Sequence, residues 1–141
     1  MSVTNPFVGN WTYRSFNNDP DLGKAANDLL FGKGTLAIAE QSETELSGTI
    51  GGRGWSLDLR GSFGYGSPMQ VRFQGKGVVG GEPWIIYDYI GWLVPVCPDS
   101  TDPLEVPAIV GSVVRTIPHS GDGGSTNPAG VMASFYAVRA G

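Results

Sequence analysis

"GWSLDLRGSFGYG" at 54–66 and "MQVRFQGKGVVGG" at 69–81 decide the fold class of this chain. In the first, Trp55, Leu57, Leu59 and Phe63 hold the odd positions, while Ser56, Asp58, Arg60 and Ser62 hold the even ones. In the second, Val71, Phe73 and Val79 are odd, and Arg72, Gln74 and Lys76 are even. Successive side chains leave a strand on opposite sides, so this alternation marks a strand with one buried and one wet face. A hairpin that pairs Phe63 with Val71 sets Asp58 opposite Lys76 on the wet face, an ordinary solvated charge pair.

Working outward, similar signals recur along the chain. "FVGNWTYRSF" (7–16) comes first, followed by a long connection in which "DLGKAANDLL" can form one short helix near 21–30, with Asp21 at its N-cap. "GTLAIAEQ" (34–41) and "TELSGTIGG" (44–52) flank a short turn. After 69–81 come "WIIYDYIGWLV" (84–94), a proline-dotted loop at 95–107, "AIVGSVVRTIPHS" (108–120) and "VMASFYAVRA" (131–140). Eight strand signals, mostly joined by short Gly-rich turns, predict a single all-β domain over 1–141. An eight-stranded antiparallel up-and-down barrel fits them best.

The bulk numbers exclude several classes. Nine Lys+Arg against thirteen Asp+Glu give a net charge of −4, and the cations do not cluster, which argues against a nucleic-acid protein. No apolar run reaches the roughly 18 residues of a membrane span, and "MSVTNPFVGN" lacks the marks of a signal peptide, so a cytoplasmic protein is expected. One cysteine, Cys97, forms no internal disulfide, and one Cys with one His makes no zinc site; no metal or cofactor is expected.

Two segments break the alternation. In 84–94 the even face carries Trp84, Ile86, Asp88, Ile90 and Trp92, and the odd face Ile85, Tyr87, Tyr89 and Leu93. In 108–117, Ile109, Val113 and Ile117 oppose Val110 and Val114. A strand apolar on both faces fills the barrel with one and needs a cover for the other, which predicts a homodimer through these two strands. Asp88 stands out within an apolar face, as does Arg115. If Val94 faces Ile109, Asp88 falls opposite Arg115, and the two charges account for each other as a buried pair. That pair reads either as a strut that fixes register or as the polar anchor of an apolar pocket walled by Trp84, Trp92 and Tyr13.

Gly9-Asn10-Trp11 resembles the Gly-x-Trp that opens the first strand of lipocalins and related calycins, and Gly9 to Thr12 is similar to the Gly-x-Trp-Thr of avidin-like proteins. The resemblance covers the architecture and the first strand, and implies an eight-stranded barrel with a ligand cavity. It implies a structural place for Trp11 at one barrel end, under an arginine of the last strand, here Arg139 in "FYAVRA". The lipocalin Thr-Asp-Tyr motif has no counterpart beyond the Asp-Tyr of "IIYDYIG", and the biotin contacts of avidins are not matched.

Other chemistry is sparse. His119 is the one candidate general base, at a strand end beside a Gly-rich turn, where an exposed turn histidine is the plainer reading. "GKGVVGGEP" (75–83) lacks the ending of a phosphate loop and reads as a hairpin. The 95–107 loop reads either as a lid over a barrel mouth or as a surface crossing. The expected function is non-catalytic binding of a small, partly apolar ligand inside the barrel, through Tyr13, Trp84, Asp88, Trp92 and Arg115. A barrel-cavity enzyme of the cyclase or isomerase type, and a filled barrel that acts as an interaction protein, remain open beside it.

Overall fold

In the computed structural model, which describes residues 5–66, 68–79, 82–96, 106–120 and 126–140, eight antiparallel strands close into a barrel. They are β1 (Gly9–Asn17), β2 (Leu30–Glu40), β3 (Glu45–Gly52), β4 (Trp55–Gly64), β5 (Gln70–Val79), β6 (Glu82–Val94), β7 (Ala108–Arg115) and β10 (Met132–Arg139). A two-stranded excursion, β8 (His119–Ser120) and β9 (Thr126–Asn127), stands between β7 and β10. The short helix expected near 21–30 is a single 3-10 turn, Ala26–Leu29.

Each strand pairs with its sequence neighbour, and β1 closes the barrel against β10. The alternation of 54–66 and 69–81 emerges as read. Phe63 faces Val71, Asp58 faces Lys76, and Leu57, Leu59, Phe63, Val71 and Phe73 are buried while Asp58, Arg60, Arg72 and Lys76 are exposed. The β3–β4 hairpin turns through Arg53 and Gly54, between the paired Gly52 and Trp55. Gly54 has φ 83°, a left-handed backbone that a side chain disfavours, so glycine suits that corner.

The barrel's middle is filled by rings. Tyr13 from β1, Phe73 from β5, Tyr89 from β6 and Phe135 from β10 are all buried. Phe73 stacks on Tyr89 at 4.7 Å, and Tyr13 lies 6.2 Å from Tyr89 and 5.7 Å from Phe135. Such offset and edge-on contacts add to the burial of apolar area. Glycines make room for them: a Cβ at Gly91 would meet Phe135 and Ile109 at 3.0 Å.

One end of the barrel is sealed. Trp11 and Phe7 are fully buried there, and the Trp11 indole donates to the Phe7 carbonyl at 3.0 Å. Phe7 stacks on Phe63 at 5.7 Å, and the buried Asn5 accepts from the Phe7 amide. Arg139 pairs with Trp11 across β1 and β10, and its guanidinium lies 4.4 Å over the indole ring. Its Nη1 and Nη2 donate to the Val8 and Pro6 carbonyls, each at 2.6 Å. Trp11 and Arg139 thus pack together at this end of the barrel.

The register of β6 and β7 departs from expectation. Val94 faces Ala108, and Leu93 faces Ile109. Arg115 therefore pairs with Tyr87, and Asp88 with Val114. Slipping a strand by one residue moves each side chain to the other face. The inner face of β6 is the odd one, with Tyr87, Tyr89 and Gly91 buried, so Asp88 and Trp92 point outward. The predicted Asp88–Arg115 pair does not form. Strand β7 also ends at Arg115, short of the predicted 120, and His119 and Ser120 pair instead with Asn127 and Thr126.

Candidate functional site

The ends of strands β1, β4 and β6 to β7 that lie away from Trp11 gather a second group of rings around Arg115. Arg115 is the last residue of β7, and its side chain is only 8 % exposed. Its Nε donates to the Tyr87 hydroxyl at 3.3 Å, and its Nη1 to the Pro128 carbonyl at 3.2 Å. Its guanidinium carbon lies 5.0 Å from the Phe31 ring centre and 5.9 Å from that of Tyr87. Phe31 and Tyr87 meet edge to face at 6.0 Å. Burying a cation between rings recovers part of its hydration through the ring quadrupoles. Among the described residues no carboxylate pairs with it.

Phe31 reaches this place through an irregularity. Ser15 pairs with Gly32 but Phe16 pairs with Leu30, so Phe31 is the extra residue of a β-bulge. A bulge re-aims a side chain, and here it turns Phe31 onto the core and over Arg115. Below it, Gly32 leaves open a spot where a Cβ would meet Ser15 Oγ at 3.2 Å, Tyr13 at 3.5 Å and Trp55 at 3.9 Å. Trp55 contacts Tyr13 edge-on at 6.3 Å and donates its indole N–H to the Lys33 carbonyl. Phe31, Trp55, Tyr87 and Arg115 thus rim this end, with Tyr13 and Ser15 beneath.

The buried hydroxyls are neutral donors. Burial pushes the Tyr13 and Tyr89 phenols above their ordinary range, since an anion there would lose its water. Neither serves as a base near neutral pH.

Of the ligand contacts expected from the sequence, Tyr13 and Arg115 are the described ones that are buried. Asp88 lies on the outer face, where Thr116 donates to its Oδ2 at 2.7 Å and Gln74 to its Oδ1 at 3.1 Å. Its charge is explained by these two partners. Trp92 is 40 % exposed on the same outer face, so neither residue walls the interior. The side chains of Trp84 and His119, the whole of Cys97 and most of the 95–107 loop lie outside the described residues. The sequence reading did not single out Phe31, and it placed Trp55 and Tyr87 on strand faces without assigning them to a site. The Gly32 and Gly34 that interrupt the pattern before Leu36 also hid Phe31, whereas Tyr87 lay on the odd face of β6 that the assumed register turned away from the site.

The outer surface is divided. Around β2 to β5 it carries Asn10, Thr49, Asp58, Arg60, Gln74 and Lys76 beside Ala37 and Ala39, along an open groove of about 960 Å³. Across β6, β7 and β10 it is apolar. Trp92, Val110 and Tyr136 form one row, and Tyr136 stacks on Phe16 at 6.0 Å. Met132 and Val94 are exposed on the same face. Among the described residues no helix is long and apolar enough to cross a membrane, and no group of three or more potential ligands forms a metal site.

No protein-family model, curated protein or solved structure matches this chain.

Proposed function

We propose that this chain is a calycin-like barrel that binds a small, partly apolar ligand without transforming it, at the end of the barrel that carries Arg115. The observation that carries this reading is the contrast between the two ends. At one, Arg139 makes two short bonds of 2.6 Å to backbone carbonyls over a fully buried Trp11, and the fully buried Phe7 lies beside it. At the other, Arg115 is buried among rings with longer bonds and, among the described residues, no acid. Ligand sites are mostly apolar with a few converging polar groups, as here. The rings of Tyr13, Phe73, Tyr89 and Phe135 occupy the middle, so the ligand sits at the mouth rather than deep inside. The test is native mass spectrometry of freshly purified protein, then denaturing mass spectrometry of the same sample. A reproducible added mass lost on denaturation is expected. A bare chain in each preparation, with no uptake of added N-phenylnaphthylamine, contradicts it.

The apolar outer face favours a second reading alongside the first: a homodimer through β6 and β7, extended onto β10. Trp92 and Tyr136 are each 40 % exposed and Met132 58 %, on adjoining strands, which is the kind of contiguous patch that subunit interfaces cover. Light scattering at micromolar concentration is expected to give twice the 14.9 kDa mass of the chain, and a clean monomer contradicts it.

A further inference from the structure

We infer that the ligand taken at the Arg115 end is a small planar aromatic carboxylate. This rests on the reading of that end as a binding site, and it names the chemical class. A guanidinium offers five N–H donors in a fixed fork. At Arg115, Nε spends its one proton on the Tyr87 hydroxyl, and Nη1 spends one of two on the Pro128 carbonyl. The second Nη1 proton and both Nη2 protons have no acceptor among the described residues. Among the described residues no buried side-chain nitrogen or oxygen lacks a hydrogen-bond partner, so Nη2 is not a buried orphan there. The edge that remains, Nη1 with Nη2, is the one a carboxylate grips with two parallel hydrogen bonds.

Charge and shape point the same way. Among the described residues the buried Arg115 cation has no counter-ion, which is costly, and an incoming carboxylate would supply that charge. The walls are rings set at a steep angle, Phe31 to Tyr87 at 76° and Tyr13 to Trp55 at 61°, which suits a flat apolar body that meets them face-on or edge-on. The packed rings below limit its depth, which excludes a long acyl chain running down the barrel axis.

Benzoate and benzamide share shape and ring and differ in charge, so they test the class directly. Each is titrated into the full wild-type chain and followed by the ring resonances of Phe31 and Tyr87. Benzoate is expected to bind at least about tenfold more tightly than benzamide, and to weaken as salt rises. Arg115→Lys is expected to shrink that preference, and Arg115→Gln, with its fold checked by circular dichroism, to abolish it. Equal affinities in the wild type overturn the carboxylate class and leave the binding mouth standing. No shift with either compound overturns both readings. A preference for benzoate that survives in folded Arg115→Gln overturns Arg115 as the anchor. If that variant does not fold, the wild-type pair and Arg115→Lys decide.

Discussion

Tyr87 and Arg115 face each other across β6 and β7, and the Arg115 Nε donates to the Tyr87 hydroxyl at 3.3 Å inside the barrel. Asp88, one residue away, lies on the other side of the sheet, with Thr116 and Gln74. The two charges therefore belong to separate surroundings. Asp88→Asn should cost about 1 kcal/mol, the loss of charge-assisted bonds at a half-buried site. In a double-mutant cycle with Arg115→Lys the two effects should add to within about 0.5 kcal/mol. Urea denaturation measures both, and a larger coupling would restore the direct pair.

Trp11 and Arg139 close the opposite end, and this closure is structural. Trp11→Ala removes a fully buried indole from the core and should destabilise by about 3–5 kcal/mol. The midpoint of urea unfolding reports it. Benzoate binding at the far end should persist in any Trp11 variant that remains folded.

Gly91 leaves room for Phe135 and Ile109 in the core. A methyl there meets Phe135 and Ile109 at 3.0 Å, so Gly91→Ala should overpack the centre and cost about 1–3 kcal/mol. Thermal unfolding is the measurement, and an unchanged melting temperature would mean that the ring cluster is looser than described.

The buried phenols of Tyr13 and Tyr89 set an alkaline limit. An unfolded tyrosine titrates near 10.0, whereas burial holds both phenols protonated to higher pH in the fold. Below that value both states keep their protons and the stabilisation is complete. Above it the unfolded chain releases protons that the fold retains, so stability falls with rising pH. Each tyrosine contributes up to about 1.4 kcal/mol per pH unit. Tyr13→Phe should make the decline shallower in denaturation curves taken above pH 10.

The apolar outer face predicts a change of assembly. Trp92→Lys places a charge in the row shared with Val110 and Tyr136. It should halve the mass seen by light scattering while far-ultraviolet circular dichroism stays unchanged.

Much of the barrel was legible in the sequence because each hairpin of β3 to β5 alternates cleanly. Leu57, Leu59, Val71 and Phe73 are inside, as their spacing demands. The site was less legible for a physical reason. β6 and β7 are largely apolar on both faces, the one acid of β6, Asp88, reads equally well as an interior group, and the connection between them is too long to pin the register. A slip of one residue then carried Asp88 and Trp92 inward on paper and left Tyr87 out. Phe31 was hidden because a bulge, which no periodicity announces, turns it over the mouth.

The measurement that tests the account most directly is the set of nuclear Overhauser contacts of the Arg115 Hε proton. The account predicts contacts to the ring protons of Phe31 and Tyr87, which would place the guanidinium inside the barrel beneath the bulge. Contacts to the side chains of Asp88 or Trp92 instead would put Arg115 on the outer face, and the binding mouth with its carboxylate anchor would be contradicted.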